Sequence, residues 1–185
     1  MPTRFRNETW FISLLVVLCL WPLVGASHPP APGDDTIRAR LKACLLSGDM
    51  ACVVDQYLLL QDIGRMPGWL VAFQNAFALA NRKAGECEKV ARTVHDGLTR
   101  LGQKPEVIRF TVKGDAKLLG FNEMAQGVLV RSHQVALTGQ HMAVKWEGKV
   151  VDAYTGLGGL PVSEYMARLG TSATSHVVYE VTSAP

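Results

Sequence analysis

Several kinds of sequence feature are missing from this chain of 185 residues. Lysine and arginine form no run or stripe, and the net charge is only +3, so a nucleic-acid partner is not indicated. Neither a CxxC nor an HxxxH pair occurs, although metal ligands often use such spacings. Internal repeats and low-complexity tracts are absent as well. We therefore expect a protein that acts without nucleic acid, metal or cofactor.

No apolar run reaches the about 20 residues that a helix needs to cross a bilayer. The longest stretch runs from Phe11 to Gly25, follows Arg4 and Arg6, and ends at the small residues Gly25 and Ala26. This pattern predicts that residues 1–26 are a cleaved secretory signal. Attachment to a membrane through an uncleaved signal is disfavoured, so we expect the mature protein to be secreted, periplasmic or in the cell envelope.

Cysteine is also scarce, with four in the whole chain, of which Cys19 lies in the predicted signal. The odd number that remains leaves one cysteine without an intramolecular partner. Cys44 and Cys52 flank the sequence Ser47-Gly48-Asp49, a plausible turn between two helices. They can form a disulfide if their Cα atoms come within about 7 Å. Cys87 is then the free thiol.

The first part of the mature chain has helical patterns. Residues 27–34, with three prolines and a glycine, are predicted to be a linker. Apolar residues recur at helical spacing after Thr36 and again after Gly48, and Pro67 can begin a third helix that includes Phe77 and Ala80. Residues 35–83 are therefore predicted to form an N-terminal helical segment.

The remainder, residues 84–185, changes from helix to strand. Gly85 interrupts the chain, and a helix with an apolar stripe between Val90 and Leu101 follows, so Cys87 falls in its first turn. Short β-type runs come next. The expected strands are 107–112, 128–137, 141–146, 149–154 and 176–181, with a short helix at 163–169. Helices followed by an antiparallel sheet predict an α+β fold.

Cys87, His141 and Asp152 are the residues whose chemistry fits together. Unpaired N–H groups at the start of a helix favour the thiolate of Cys87. A two-residue turn at Glu147-Gly148 places His141 and Asp152 on one face of adjacent strands, with Cβ atoms about 6 to 7 Å apart. A three-residue loop would put them on opposite faces. The trio supplies a nucleophile, a proton carrier and an orienting carboxylate.

Three alternatives compete with this interpretation. Cys87 is an inert core residue if residues 78–94 form one continuous helix, since no helix start then lowers its pKa. His133 is a rival base, but no carboxylate follows it at hairpin distance. The third alternative is a zinc site formed by Cys87, His133, His141 and Asp152. It is disfavoured because the sequence has neither a CxxC nor an HxxxH pair.

Three segments resemble the papain-like fold domains of bacterial polymorphic toxins. They are GECEKVA at 85–91, HMAV at 141–144 and GKVVDAYTG at 148–156. The resemblance covers roughly residues 84–169 and implies a papain-like fold in which Cys87, His141 and Asp152 are catalytic. Residues 35–83 match no motif, which leaves them open as a prodomain-like cap, a delivery adaptor or part of the fold.

The same resemblance implies an oxyanion donor on a side-chain amide upstream of the nucleophile. Asn81, six residues before Cys87, is the nearest candidate, and Gln74 is a weaker one. It also implies a toxin or effector that acts on an amide of a target protein, by proteolysis or by deamidation of glutamine, and a protective immunity protein in the producer.

Other functions remain open from the sequence. Acyl transfer to an amine uses the same nucleophile, and a peptidoglycan amidase is an enzyme alternative consistent with export. From a different class, the chain can be an exported binding or adaptor protein in which Cys87 is structural or bonded to another molecule.

Overall fold

Two helices joined by a tight turn begin the part of the chain that the computed structural model describes, residues 34–183. They are α1 (Asp34–Ser47) and α2 (Met50–Gln61). Asp49 caps α2, because its carboxylate accepts a hydrogen bond of 3.0 Å from the backbone N–H of Cys52. The predicted signal lies outside the described residues, as does all of the predicted linker except its last residue.

The disulfide expected from the cysteine spacing is present in the structure. Cys44 and Cys52 are bonded across the turn, with their Cα atoms 5.6 Å apart. Gly48, at the centre of this turn, has φ +75°. A Cβ there would lie 2.8 Å from the backbone nitrogen of Gly158, so only glycine lets the turn approach this later segment so closely.

The third helix is shorter than the sequence predicts. The α3 helix (Gly68–Asn75) ends before Phe77 and Ala80, where continuation was expected. The side-chain amide of Asn81 donates to the carbonyl oxygens of Asn75, at 2.8 Å, and Ala76, at 3.3 Å. Because these carbonyls are satisfied from outside the helix, the chain can turn there, and a single 3₁₀ turn at Leu79–Asn81 follows.

The α4 helix (Cys87–Arg100) precedes the strands, as expected. The strands are β1 (Glu106–Lys113), β2 (Leu119–Ala125), β3 (Val128–Ala136), β4 (Gln140–Trp146), β5 (Lys149–Asp152), β6 (Gly156–Pro161), β7 (Leu169–Gly170) and β8 (His176–Thr182). A short helix, α5 (Val162–Arg168), lies between β6 and β7. The sequence did not predict β2, β6 or β7, and it extended β5 to residue 154, two residues too far.

The strands form two antiparallel sheets. The larger sheet has the order β6-β5-β4-β1-β8, and the smaller has the order β3-β2-β7. The combination of five α-helices with antiparallel sheets among residues 34–183 confirms the α+β class. None of the helices in this described part is long and apolar enough to span a membrane.

Two cores lie against opposite faces of the larger sheet. Successive residues of a strand point to opposite faces, so Val144 and Trp146 pack on the helices while Ala143 packs on the smaller sheet. The first core contains buried residues of α1, α2, α3 and α4 together. Residues 34–183 accordingly belong to one compact unit, in which the N-terminal helices share the core of the later region.

Candidate active site

Cys87 is the free cysteine of the described residues, and it begins α4. Gly85 has φ +94°, a conformation that breaks the preceding chain and starts the helix where the sequence indicated. Burial raises the pKa of the half-buried Cys87 thiol. His141 and the backbone N–H groups of Met142 and Glu88 lower this pKa by more than burial raises it, so the net shift is downward. The sulfur is therefore disposed to ionise.

The hairpin between β4 and β5 has the register that the sequence predicts. Glu147 and Gly148 have φ values of +48° and +74°, the conformation of a two-residue hairpin turn, and Trp146 pairs with Lys149. Counted outward from that pair, His141 and Asp152 share a face. The Nε2 atom of His141 lies 3.2 Å from Oδ2 of Asp152.

Asp152 is held by hydrogen bonds on both carboxylate oxygens. Oδ1 accepts from the backbone N–H groups of Tyr154, at 2.8 Å, and Thr155, at 2.9 Å. Oδ2 faces His141 and the hydroxyl of Tyr165. Burial raises the pKa of Asp152, but the bonds to His141, Tyr165 and Thr155 outweigh it and hold the pKa below its ordinary value. The carboxylate thus stays ionised although it is 2% exposed.

Tyr165, on α5, is a member of the site that the sequence did not reveal. Its hydroxyl donates to Oδ2 of Asp152 at 2.6 Å, and the hydroxyl oxygen lies 2.9 Å from Nε2 of His141. The planes of the phenol and imidazole rings are nearly parallel, at an angle of 9°, with the ring centres 6.4 Å apart. In the sequence, Tyr165 is a tyrosine at helical spacing, and such residues are common in protein cores, so nothing there indicated a role in the site.

His141 interacts with both the carboxylate of Asp152 and the thiol of Cys87. No atom of residues 34–183 hydrogen-bonds its buried Nδ1, the ring nitrogen that Asp152 and Tyr165 leave free. Burial alone lowers the pKa of His141, whereas its bond to Asp152 and its interactions with Cys87 raise the pKa to about 9. The pKa of Cys87 is lowered and that of His141 is raised, and opposite shifts of this kind favour a thiolate paired with an imidazolium.

The end of β5 explains how a helix can reach this histidine. His141 pairs with Phe110 of β1 on one side. On the other side β5 ends at Asp152, and the chain turns away at Ala153 before it can pair opposite His141. The start of α4 packs on this side of β4, and the backbone N–H of Met142 contributes to lowering the pKa of Cys87.

Asn81 is not placed as the expected oxyanion donor. Its Nδ2 atom carries two protons, and both are directed to the carbonyls of Asn75 and Ala76. Its side chain stabilises the end of α3, so its amide is not free to donate a hydrogen bond beside Cys87. Gln74, the weaker candidate, is exposed on α3.

His133 has a carboxylate partner, Glu123, although no carboxylate follows His133 at hairpin distance in the sequence. Its Nε2 lies 2.9 Å from Oε2 of Glu123, across the β2 and β3 pair, and this hydrogen bond lowers the pKa of Glu123. The imidazole that interacts with Cys87 is nevertheless His141. His133 instead lies against the ring of Tyr154, with the ring centres 5.5 Å apart.

The arrangement has the parts needed for nucleophilic attack on a carbonyl carbon: an acidic thiol, a histidine and a buried carboxylate that fixes the ring. Within the described range 34–183, no cluster of three or more histidine, cysteine, aspartate or glutamate side chains is placed to hold a metal ion. No protein-family model, no curated protein and no solved structure matches this chain, so its function is inferred from the geometry around Cys87.

Proposed function

We propose that this protein is an exported cysteine hydrolase of papain-like type that acts on an amide of a target protein. The observation that carries the proposal is the orientation of His141, whose Nε2 faces Asp152 while its buried Nδ1 is left for Cys87. Nucleophile, proton carrier and orienting carboxylate then follow one another in the order that this chemistry requires.

In the proposed reaction the sulfur of Cys87 bonds to the carbonyl carbon, and the π electrons of the carbonyl move onto its oxygen. When this intermediate collapses, the C–N bond breaks and His141 gives its Nδ1 proton to the departing amine. Water then attacks the thioester while His141 takes its proton. Release of the acid restores the thiolate and the imidazolium.

Proteolysis and deamidation share these steps and differ in the leaving group, which is a peptide amine in one case and ammonia in the other. Acyl transfer replaces water by an amine. The resemblance to polymorphic toxin domains supports a protein target and an immunity protein that covers Cys87 in the producing cell. Export is supported by the signal pattern of residues 1–26.

Expression of residues 27–185 in a heterologous bacterial host tests the proposal. The wild type is compared with Cys87→Ala and with His176→Ala, a control at an exposed histidine on β8. Mass spectrometry of the host proteins should show new termini or glutamine converted to glutamate, with the wild type and His176→Ala but not with Cys87→Ala. Changes that persist without Cys87, or no covalent change at all, would favour a binding or adaptor protein.

A further inference from the structure

Tyr154 carries a hydroxyl that the triad does not use. Its backbone N–H supports Asp152, donating to Oδ1 at 2.8 Å. Its side-chain hydroxyl is buried and finds no hydrogen-bond partner anywhere in residues 34–183. Buried polar groups are nearly always paired, because an unmade bond is unfavourable. The lone hydroxyl is therefore suited to a partner that arrives with the substrate.

The ring of Tyr154 is fixed beside the site. It lies edge-on to His141, with the ring centres 6.1 Å apart, and against Phe121 and His133, each at 5.5 Å. Burial and the negative charges of Asp152 and Cys87 raise the pKa of Tyr154. The hydroxyl thus keeps its proton at neutral pH and is available as a donor on a ring that lies beside His141.

A cation holds the segment that carries Tyr154. The Nε atom of Arg82 donates to the carbonyl oxygen of Ala153, the preceding residue, at 2.9 Å. The charge of Arg82 lowers the pKa of Tyr154 and so offsets part of the effect of Asp152 and Cys87. The guanidinium, whose Nη1 also lies 3.9 Å from Oε1 of Glu123, thus reduces the repulsion that negative charge near Tyr154 meets.

Attack by Cys87 creates such a charge on the carbonyl oxygen of the substrate. Hydrogen-bond donors aimed at this oxygen contribute strongly to the rate of acyl transfer, and tyrosine hydroxyls are among the groups that serve. The free N–H groups at the start of α4 are one source of hydrogen bonds. Asn81 is not a second source, since its amide protons bond Asn75 and Ala76.

We infer that the Tyr154 hydroxyl is an oxyanion donor, which hydrogen-bonds the carbonyl oxygen as it becomes negative during attack by Cys87. The inference rests on the proposed function of Cys87 as the nucleophile. The hydroxyl is shielded from water in the free protein, so the contact around it opens when the substrate binds, and the carbonyl oxygen then supplies the hydrogen bond that the hydroxyl lacks.

Two small probes separate the oxyanion step from the reactivity of the thiolate. In the reaction with p-nitrophenyl acetate, the sulfur adds to the ester carbonyl, an oxyanion forms, and p-nitrophenolate leaves the acetylated cysteine. In the reaction with iodoacetamide, the sulfur displaces iodide at a saturated carbon, and no oxyanion forms. A donor to the oxyanion therefore affects the first rate and leaves the second unchanged.

We expect Tyr154→Phe to slow acetylation of Cys87 by about 100-fold, as loss of one oxyanion donor does elsewhere. Its rate of alkylation by iodoacetamide should keep the pH dependence of the wild type. The fold should survive, because the hydroxyl has no partner within the described part of the chain. Tyr57→Phe, on α2 against Trp69, is the matched control and should react like the wild type with both probes.

Equal acetylation of Tyr154→Phe and wild type would overturn the inference while leaving the proposed nucleophile intact. A parallel fall of both rates would also overturn it, because Tyr154 would then act on the thiolate. A Cys87 in the wild type that reacts with neither probe would contradict the proposed function itself. Melting temperatures of the two variants verify that the rates compare folded proteins.

Discussion

The imidazole of His141 is 1% exposed, and a charge so far from water persists only beside a charge of opposite sign. Asp152 provides that charge directly. Tyr165 acts through the carboxylate, since its hydroxyl donates to Oδ2 at 2.6 Å and holds it in the ionised form. The negative charge beside His141 therefore raises its pKa, although burial by itself lowers it.

The charge on His141 can be followed by NMR of the protein labelled with ¹⁵N in its histidine rings. We expect His141 to stay protonated until the pH approaches about 9. The carboxylate of Asp152 raises the pKa of His141. Asp152→Asn should therefore move the pKa of His141 downward.

Titration of His141 near pH 6.5 in the wild type would refute the charge assignment. A pKa of His141 that is unchanged in Asp152→Asn would show that some other group supplies the compensating charge.

The residues of the triad were predictable to different degrees. His141 and Asp152 are 11 residues apart in one hairpin, so turn chemistry and strand alternation suffice to place them together. Tyr165 lies on another element, and its contact depends on how α5 packs on the sheet. Asn81 failed as a candidate because proximity to Cys87 in sequence does not determine which carbonyls its amide meets.

At the scale of elements, local signals predicted α4 and the β4–β5 hairpin, while packing decided the elements that were missed. The β6 strand contains three glycines and ends in proline, a composition that indicates a turn, yet it forms an outer strand beside β5. The α3 helix stopped early because Asn81 takes its last carbonyls. Such tertiary contacts leave no periodic pattern in the sequence.

The contact between α3 and α4 gives a prediction at this scale. Gly97 of α4 lies against the buried ring of Phe73, and a Cβ there would overlap that ring. Overpacking of this kind costs about 1 to 3 kcal/mol, against a gain of about 1 kcal/mol in helix propensity. We expect Gly97→Ala to lower the free energy of unfolding in urea by about 1 kcal/mol, the middle of the net range of about 0 to 2 kcal/mol.

Gly68→Ala, at the start of α3, is the matched control. No atom lies within 4 Å of a Cβ built there, so this change should leave the free energy of unfolding unchanged or slightly higher. Equal stability of Gly97→Ala and wild type would show that Phe73 moves aside at little cost and that the two helices are loosely packed.

At the scale of the whole molecule, the N-terminal helices are part of the body that supports the site. Buried residues of α1, α2 and α3 pack in one core with α4, β4 and β5. The close approach of Gly48 to Gly158 adds a backbone contact between the first turn and β6. Among the roles that the sequence left open for residues 35–83, this packing favours a part of the fold.

Removal of that segment tests its role. We expect residues 84–185 alone to lack a cooperative unfolding transition, because the apolar face of α4, with Val90, Val94 and Leu98, loses its cover. Circular dichroism during urea titration is the measurement, and residues 34–185 serve as the control. A sharp transition in the shorter chain would mean that the helices are a separable cap.

The central claim is that Cys87 is a thiolate nucleophile activated by His141. Its most direct test is the rate of alkylation of Cys87 by iodoacetamide as a function of pH, in wild type, His141→Ala and the control His176→Ala. We expect a midpoint below the ordinary thiol value of about 8.5 in wild type and His176→Ala, and a higher midpoint in His141→Ala. A midpoint near 8.5 in all three proteins, or a Cys87 that does not react, would contradict the claim.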